Sequence, residues 1–311
     1  MATGLSTAVL GRTGLKVTRL SFGAMELRDA PRGRPVTDEL AKAVLNAVLD
    51  SGVNFIDTSN DYGRSEEFIG RHISHRRSEY YLATKCGCQP GGGQPHLWTR
   101  ENMFRGLTES LQRLKTDYVD IMQLHNPTVE ECQQGDLVEA LKEMKKQGKT
   151  RWIGVSTTLP HLPTYIKWGV FDEFQIPYSA LQREHEQWIT KAAEAGIGTV
   201  IRGGVAKGAP GESGVDSYMR SGVTVQATDA WRPFVDAKLD ELRAEGESRT
   251  AFMLRFTLSH PHVHTIIVGT LNPEHVKGNI QAVRRGPLPP NVYAEAKRRL
   301  DAIGLSPTPV S

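Results

Sequence analysis

Residues 37–62, TDELAKAVLNAVLDSGVNFIDTSNDY, contain a helix and the strand that follows it. Thr37 predicts the N-cap of a helix over 37–51, because a threonine before an apolar stripe can accept a free backbone N–H of the first turn. Gly52 stands where a glycine commonly ends a helix. The apolar run NFID (54–57) then predicts a short buried strand. A helix followed by a buried strand is the repeating unit of an α/β fold.

The same alternation continues along the rest of the chain. Short β-branched or apolar runs predict eight strands, over 17–23, 54–57, 80–85, 118–125, 151–156, 173–178, 198–203 and 264–269. Helical spacing predicts helices over 37–51, 99–114, 136–147, 187–195, 229–244, 248–259 and 273–284. No linker divides the 311 residues, so we expect one domain over 1–311 with the α/β architecture of a (β/α)8 TIM barrel. A doubly wound sheet is the alternative, but no G-x-G-x-x-G follows an early strand.

Four segments lie outside this alternation. Residues 7–15 predict a short N-terminal β-hairpin that could plug the bottom of the barrel. Residues 88–98 are glycine-rich and predict a flexible loop with one large aromatic residue. Residues 205–228 form an unusually long connection, of a kind that is often functional. Residues 304–311 predict a disordered C-terminal tail.

Composition and charge exclude several classes of protein. The formal net charge of +3 is small and evenly interspersed, which does not indicate a nucleic-acid partner. No apolar stretch reaches the roughly 18–20 residues that cross a membrane, and the N-terminus lacks a signal-peptide pattern. Three cysteines are typical of a reduced compartment, so we expect a cytoplasmic protein. Cys86, Cys88 and His96 match no zinc-ligand spacing, and we predict no metal site.

Ionisable residues stand at the ends of three consecutive predicted strands. In a TIM barrel the active site lies at the C-terminal ends of the strands. The second strand ends in Asp57 with Tyr62 just beyond it, the third ends in Lys85, and the fourth ends in His125. A lysine or histidine that ends a single strand is often structural. Three successive strands that deliver Asp, Lys and His, with a tyrosine in the first loop, predict a catalytic site.

These side chains suit the transfer of a proton to a carbonyl oxygen. Tyr62 is a poor acid at its ordinary pKa of about 10, and a nearby Lys85 ammonium would lower that pKa. Asp57 would keep the lysine charged in a partly desolvated pocket. His125 could orient the substrate oxygen by a hydrogen bond, with a tautomer that the sequence leaves open. Because no residue supplies a hydride, the set predicts a reduced nicotinamide cofactor. A Schiff-base lyase using Lys85 is an alternative that a neighbouring carboxylate disfavours.

Several motifs resemble the aldo-keto reductase superfamily. They are DTSNDYGRSEEFIG (57–70), ATKCG (83–87), SLQRLKTDYVDIMQLHNP (110–127), WIGVS (152–156) and IIVGTLNPEHVKGNI (266–280). Their order and spacing match over roughly 5–284. The resemblance implies a (β/α)8 reductase of aldehydes or ketones that uses NADPH without metal or flavin. In that family pattern Tyr62 is the general acid, Lys85 and Asp57 tune it, and His125 orients the carbonyl.

The resemblance also implies a set of cofactor-binding residues. Ser156 and Gln175 would meet the nicotinamide amide, while Thr157 replaces the asparagine that commonly follows the serine. Arg202 stands where many members have a stacking aromatic residue. Its guanidinium could stack in the same way or form a salt bridge at the barrel rim. The full set comprises Gly23, Asp57, Ser156, Gln175, Arg202, Gly203, Val205, Lys207, Gly269, Thr270, His275 and Asn279.

The sequence specifies the preferred cofactor and the substrate less strongly than it specifies the catalytic residues. Gly269 and His275 stand where members often carry stronger cations toward the 2′-phosphate, so the resemblance implies NADP(H) with NAD(H) possible. Lys277 could compensate. Met25 and Trp98 would line a pocket for a small carbonyl or alcohol substrate, although Trp98 could equally be core packing. A regulatory, NADPH-binding subunit with weak turnover is the alternative function. The sequence does not define the physiological substrate or the oligomeric state.

Overall fold

The computed structural model describes residues 4–89, 91–93, 95–209, 217–220 and 223–310. Two strands at the N-terminus, β1 (Thr7–Val9) and β2 (Lys16–Thr18), pair as an antiparallel hairpin. Eight further strands form a closed barrel of parallel pairs in the order β12-β3-β4-β5-β6-β7-β8-β9. They are β3 (Leu20–Gly23), β4 (Phe55–Asp57), β5 (Tyr81–Cys86), β6 (Val119–His125), β7 (Thr150–Ser156), β8 (Glu173–Pro177), β9 (Gly198–Arg202) and β12 (Thr265–Val268). The predicted (β/α)8 barrel with an N-terminal hairpin is confirmed.

The helices surround the barrel. Their bounds are α1 (Asp38–Asp50), α2 (Ser65–His72), α3 (Arg100–Leu114), α4 (Val129–Gln134), α5 (Leu137–Lys146), α6 (Leu162–Trp168), α7 (Glu186–Glu194), α8 (Ala227–Asp236), α9 (Arg249–Leu258), α10 (Pro273–Arg284) and α11 (Pro290–Ala302). The predicted cap Thr37 accepts from the Leu40 backbone N–H at 3.2 Å. In the described residues, no helix is long and apolar enough to cross a membrane.

The N-terminal hairpin closes one end of the barrel, as predicted, although it extends to Thr18 rather than to residue 15. Leu10, between its strands, is fully buried in a cluster with Phe55 and Val200 from the barrel strands. Gly11 allows this close approach, because a Cβ at that position would lie 2.3 Å from the backbone nitrogen of Gly198. The single strand predicted over 17–23 is therefore two strands, one in the hairpin and one in the barrel.

Other departures have local causes. The helix predicted over 229–244 ends at Asp236, and Lys238 adopts a left-handed backbone with φ 51°. The helices α2, α4, α6 and α11 were not predicted. The first three have only six to eight residues each and carry little periodicity, whereas α11 has 13 residues and was missed. Within the predicted 205–228 connection, β10 (Ser217–Arg220) and β11 (Val223–Gln226) form an antiparallel pair. Residues 210–216 and 221–222 of that connection lie outside the described residues.

The C-terminal segment is held against the barrel rather than free. The backbone N–H of Thr308 donates to the Glu184 carbonyl at 3.2 Å, and that of Val310 donates to Gln187 Oε1 at 3.2 Å. These bonds contradict the prediction of a disordered tail for residues 304–310. Residue 311 lies outside the described residues.

Candidate active site

Three neighbouring barrel strands carry the predicted catalytic side chains. β4 ends at Asp57, Lys85 is the penultimate residue of β5, and β6 ends at His125. Tyr62 follows β4 in a turn that its backbone N–H closes by donating to the Ser59 carbonyl at 3.0 Å. Because parallel strands end on the same side of the barrel, these side chains share one mouth.

Lys85 and Asp57 form a buried ion pair. Lys85 Nζ donates to Asp57 Oδ1 at 2.6 Å and to the Thr58 carbonyl at 2.9 Å, and the lysine side chain is 0% exposed. The second carboxylate oxygen, Oδ2, accepts from Gln175 Nε2 at 2.8 Å and from Gln123 Nε2 at 3.1 Å. Both carboxylate oxygens are thus satisfied, which is what a buried charge requires.

The lysine head also reaches the tyrosine. Its Nζ lies 5.0 Å from the centroid of the Tyr62 ring. Burial alone would lower the pKa of Lys85, but Asp57 and Tyr62 together raise it above its ordinary value. Lys85 is therefore an ammonium at neutral pH that is bonded to the Asp57 carboxylate and lies beside the Tyr62 ring.

The prediction that Lys85 brings the pKa of Tyr62 below its ordinary value is wrong for this structure. Burial is the largest influence and raises the pKa of Tyr62, with Asp57 acting in the same direction. Lys85 and Arg202 lower that pKa but do not outweigh the burial. The phenol is consequently protonated at neutral pH. The two cations nevertheless favour the phenolate that would remain after the proton is donated.

His125 lies edge-on to Tyr62, with 5.9 Å between the ring centroids. Its Nδ1 is 3.5 Å from Ser59 Oγ and 3.7 Å from Cys88 Sγ, so Nε2 is the ring nitrogen remote from these two groups. Burial, and then the charge of Lys85, lower the pKa of His125 well below its ordinary value. The imidazole is therefore neutral, and one of its nitrogens can donate a hydrogen bond.

Two residues that were not predicted from the sequence also contact this part of the barrel. Gln123 lies two residues before His125 on β6, and strand alternation could have placed it on the same side as the histidine. Asn126 has a left-handed φ of 60°, and its Oδ1 accepts from Ser156 Oγ at 3.1 Å. The signal for Asn126 was its position between a strand end and a proline, where asparagine tolerates this backbone.

A second buried acid lies on the strand next to Ser156. Glu173, at the start of β8, is 0% exposed, and neither of its carboxylate oxygens has a hydrogen-bond partner among the described residues. Burial, reinforced by the charge of Asp57, raises the pKa of Glu173 well above its ordinary value. We therefore describe Glu173 as a neutral carboxylic acid at neutral pH. Nothing in the sequence distinguished it from a rim residue.

The predicted nicotinamide-side residues lie on the next strands around the barrel. Ser156 pairs with His125 on one side and with Gln175 on the other, and Arg202 ends β9. The Arg202 Nε is buried without a hydrogen-bond partner in the described part of the chain. The predicted loop residues that follow β9 are Gly203, Val205 and Lys207, with φ 71° at the glycine and 68° at the lysine.

The predicted adenosine-side residues lie beyond β12. Gly269 packs against the first barrel strand, since a Cβ there would lie 2.5 Å from the Gly23 carbonyl oxygen. A side chain at position 269 would clash with that oxygen, so the position requires glycine. Thr270 Oγ1 lies 3.2 Å from His275 Nδ1 on the exposed surface, and Thr270 and Asn279 line one crevice.

The two predicted substrate residues are placed differently. Met25 is half-buried in a 3₁₀ turn directly after β3. Trp98 packs partly on the core, with its ring over Gly87, where a Cβ would lie 2.2 Å from the indole. It also meets His96 edge-on at 5.4 Å, and the His96 and His125 ring centroids are 4.9 Å apart. Trp98 thus combines core packing with a place near the mouth.

Known proteins resemble this chain in fold and in sequence. A model of the Aldo/keto reductase family matches residues 19–300, and the chain belongs to this family of oxidoreductases. The chain is 30% identical over 285 residues to the uncharacterized oxidoreductase YqkF of Bacillus subtilis, covering 88% of this chain and 89% of that protein. It is 27% identical over 294 residues to L-galactose dehydrogenase of Arabidopsis thaliana, with 90% and 89% covered. Aldo-keto reductase AKR11C1 from Bacillus halodurans, in its holo form, superposes with a TM-score of 0.79 at 28% identity over 99% of this chain and 98% of that one.

Proposed function

We propose that this protein reduces an aldehyde or ketone to the alcohol, reversibly, with a nicotinamide cofactor and with Tyr62 as the proton donor. One observation carries the proposal: a single buried ammonium, Lys85, bonds to Asp57 and lies 5.0 Å from the centroid of the Tyr62 ring, which in turn meets the neutral imidazole of His125. This arrangement has a protonated acid, a means of stabilising its conjugate base, and a hydrogen-bond donor for a carbonyl.

Each residue then has a distinct task. His125 donates a hydrogen bond to the carbonyl oxygen and orients it toward the Tyr62 hydroxyl. Reduced nicotinamide, when bound, would supply the hydride that reaches the carbonyl carbon. Tyr62 gives its proton to the carbonyl oxygen and becomes a phenolate. The Lys85 ammonium stabilises that phenolate, and Asp57 keeps the lysine charged throughout.

The residues after β9 fit an anionic cofactor. The partly buried Lys207 ammonium experiences two other cations, Arg28 and Arg202, against one carboxylate, Glu26. The Nε atoms of Arg28 and Arg202 are buried and have no hydrogen-bond partner among the described residues. Unpaired guanidinium donors beside a buried ammonium are suited to a pyrophosphate. Sequence analysis had not identified Arg28 in this role.

We propose NADP(H), with NAD(H) possible, as the cofactor. His275 is exposed and already contacts Thr270, and it is a weaker phosphate ligand than arginine. Lys277, which could compensate, is held by Glu274 at 2.7 Å on the exposed face of α10. A comparison of KM values for NADPH and NADH tests this, and a lower KM for NADH contradicts the proposed preference.

A Schiff-base role for Lys85 is disfavoured. Its Nζ is held at 2.6 Å from Asp57, and its pKa lies above its ordinary value, whereas a nucleophilic lysine needs a neutral amine. Borohydride treatment in the presence of carbonyl substrates, followed by mass spectrometry, tests this alternative. No adduct is expected on Lys85.

The proposed function is tested by NADPH oxidation with a panel of aldehydes and ketones, including nitrobenzaldehyde. Carbonyl-dependent oxidation is expected, and the alcohol product should appear in equal amount. NADPH binding measured by fluorescence accompanies the assay. If the protein binds NADPH and turns over no member of the panel, the regulatory alternative is favoured and the proposal fails.

A further inference from the structure

Four potential metal ligands converge beside the proposed active site. They are a carboxylate oxygen of Asp61, Cys88 Sγ, and one ring nitrogen each from His96 and His125, and all four atoms lie within 4.8 Å of one another. Asp61 comes from the turn after β4, Cys88 and His96 come from the glycine-rich loop after β5, and His125 ends β6. No short sequence motif contains them, so spacing along the chain could not predict the cluster.

The distances in this cluster suit a tetrahedral zinc ion. Cys88 Sγ is 3.8 Å from His96 Nε2 and 3.7 Å from His125 Nδ1. With Zn–S of about 2.3 Å and Zn–N of about 2.0–2.1 Å, a tetrahedral site places sulfur and nitrogen about 3.5 Å apart. The two sulfur–nitrogen distances therefore exceed the tetrahedral value by only a few tenths of an ångström. A cysteine, two histidines and a carboxylate form a donor set typical of zinc.

The carboxylate of the cluster is already oriented. Asp61 Oδ1 accepts from Arg32 Nη1 at 2.9 Å and from the Gly93 backbone N–H at 2.6 Å. These bonds tie the turn after β4 to the glycine-rich loop that carries His96. They fix the orientation of the carboxylate, and neither of them uses Oδ2. Orientation of ligands by a surrounding hydrogen-bond network is typical of metal sites.

We propose that Asp61, Cys88, His96 and His125 form a binding site for one Zn²⁺ ion, and that zinc bound there inhibits the enzyme reversibly. Zinc binding would release the proton of the Cys88 thiol, fix the position of the His125 imidazole through Nδ1, and add one net positive charge beside the turn that carries Tyr62. An imidazole held by a metal cannot follow a carbonyl oxygen as the substrate binds. The inhibition rests on the proposed role of His125, whereas the binding of zinc does not.

Zinc binding is tested on the chelator-treated full chain with Zn²⁺ alone, by competition with a chromophoric zinc chelator. One ion per chain is expected. Cys88→Ser and His96→Gln should each weaken binding at least about tenfold, because each removes one ligand. Cys132→Ser, which removes another buried cysteine, is the matched control and should retain wild-type affinity. Equal affinity in all four proteins would overturn the proposal.

Cobalt gives a readout that does not depend on activity. Co²⁺ added to the wild-type protein should give the intense visible absorption of a tetrahedral site and a thiolate-to-cobalt band in the near ultraviolet. The thiolate band should be absent in Cys88→Ser and retained in Cys132→Ser. A spectrum of six-coordinate cobalt without a thiolate band would contradict the proposed ligands.

Carbonyl reduction then separates the two proposals. Zn²⁺ should inhibit NADPH oxidation by the wild-type protein, a chelator should restore it, and His96→Gln should need at least about tenfold more zinc for the same inhibition. Tight zinc binding with unchanged turnover would refute the inhibitory role alone. A chain that binds zinc and cobalt as expected but reduces no carbonyl would contradict the proposed function, not the metal site.

Discussion

Replacement of Asp57 by asparagine should destabilise the protein through Lys85. The lysine side chain is 0% exposed, and Asp57 is its only partner with an opposite charge in the described ion pairs. Asparagine keeps the size of the side chain and can still bond to Gln123 or Gln175, but it leaves the ammonium buried without a counter-charge. Removal of one partner from a buried ion pair typically costs about 3–5 kcal/mol of unfolding free energy.

The lysine can limit this loss by releasing its proton. From a reference pKa of about 10.4, deprotonation costs about 4.6 kcal/mol at pH 7 and about 1.9 kcal/mol at pH 9. In the variant the folded-state pKa of Lys85 falls below its unfolded value, so the folded state gains stability as the pH rises. We therefore expect Asp57→Asn to lose about 3–5 kcal/mol at pH 7 and no more than about 2 kcal/mol at pH 9.

Urea unfolding followed by circular dichroism measures these free energies, provided that the m-values of the variant and the wild type agree. Asp120→Asn is the matched control, because Asp120 is equally buried but its partners Arg77 and Arg151 are partly exposed, at 17% and 48%. The control should lose less, and its loss should not shrink between pH 7 and pH 9. The double variant Asp57→Asn/Lys85→Met should be more stable at pH 7 than Asp57→Asn alone. A loss below about 1 kcal/mol, or one that does not vary with pH, would refute this reasoning.

Three further predictions follow from buried polar groups. Burial raises the pKa of Glu173, so the wild-type folded state loses stability as the pH rises above about 4.5. Glu173→Gln should therefore have a higher unfolding free energy than wild type at pH 8 but not at pH 4.5. An equal effect at both pH values would contradict a neutral Glu173. His260 Nε2 lies 3.0 Å from the Glu186 carbonyl, and its Nδ1 accepts from the His262 N–H at 3.2 Å. Burial lowers the pKa of His260 to about 4, so stability should fall as the pH drops from 6.5 toward 4, and His260→Gln should flatten that slope in urea titrations. Arg202→Met should raise the Kd for NADPH in fluorescence titrations about tenfold or more, whereas an unchanged Kd would favour a salt-bridge role for Arg202.

The sequence predicted the barrel because eight buried strands recur between helices, and the strand ends then located Asp57, Lys85 and His125. It did not predict α4 or α6, because helices of six and seven residues are too short to show a helical period. The pKa of Tyr62 depends on burial and on cations from β5 and β9 together, and no pattern along the chain reports their balance.

The contacts between segments that are distant in the chain could not be predicted from the sequence either. Gln123 and Gln175 meet on the Asp57 carboxylate although they are 52 positions apart in the chain (175 − 123). Cys88 approaches His125 because β5 pairs in parallel with β6 and the two strands end side by side. Because no sequence motif contains these residues, their contacts can be predicted only from the complete fold.

The central claim is that Tyr62 delivers the proton, and Tyr62→Phe tests it most directly. The variant keeps the aromatic ring next to Lys85 and His125 and removes only the hydroxyl, so the Kd for NADPH should stay within about twofold of wild type. Single-turnover carbonyl reduction, followed by the loss of NADPH fluorescence, should slow by about 10²- to 10⁴-fold. Unimpaired NADPH binding with a single-turnover rate close to that of wild type would contradict the account.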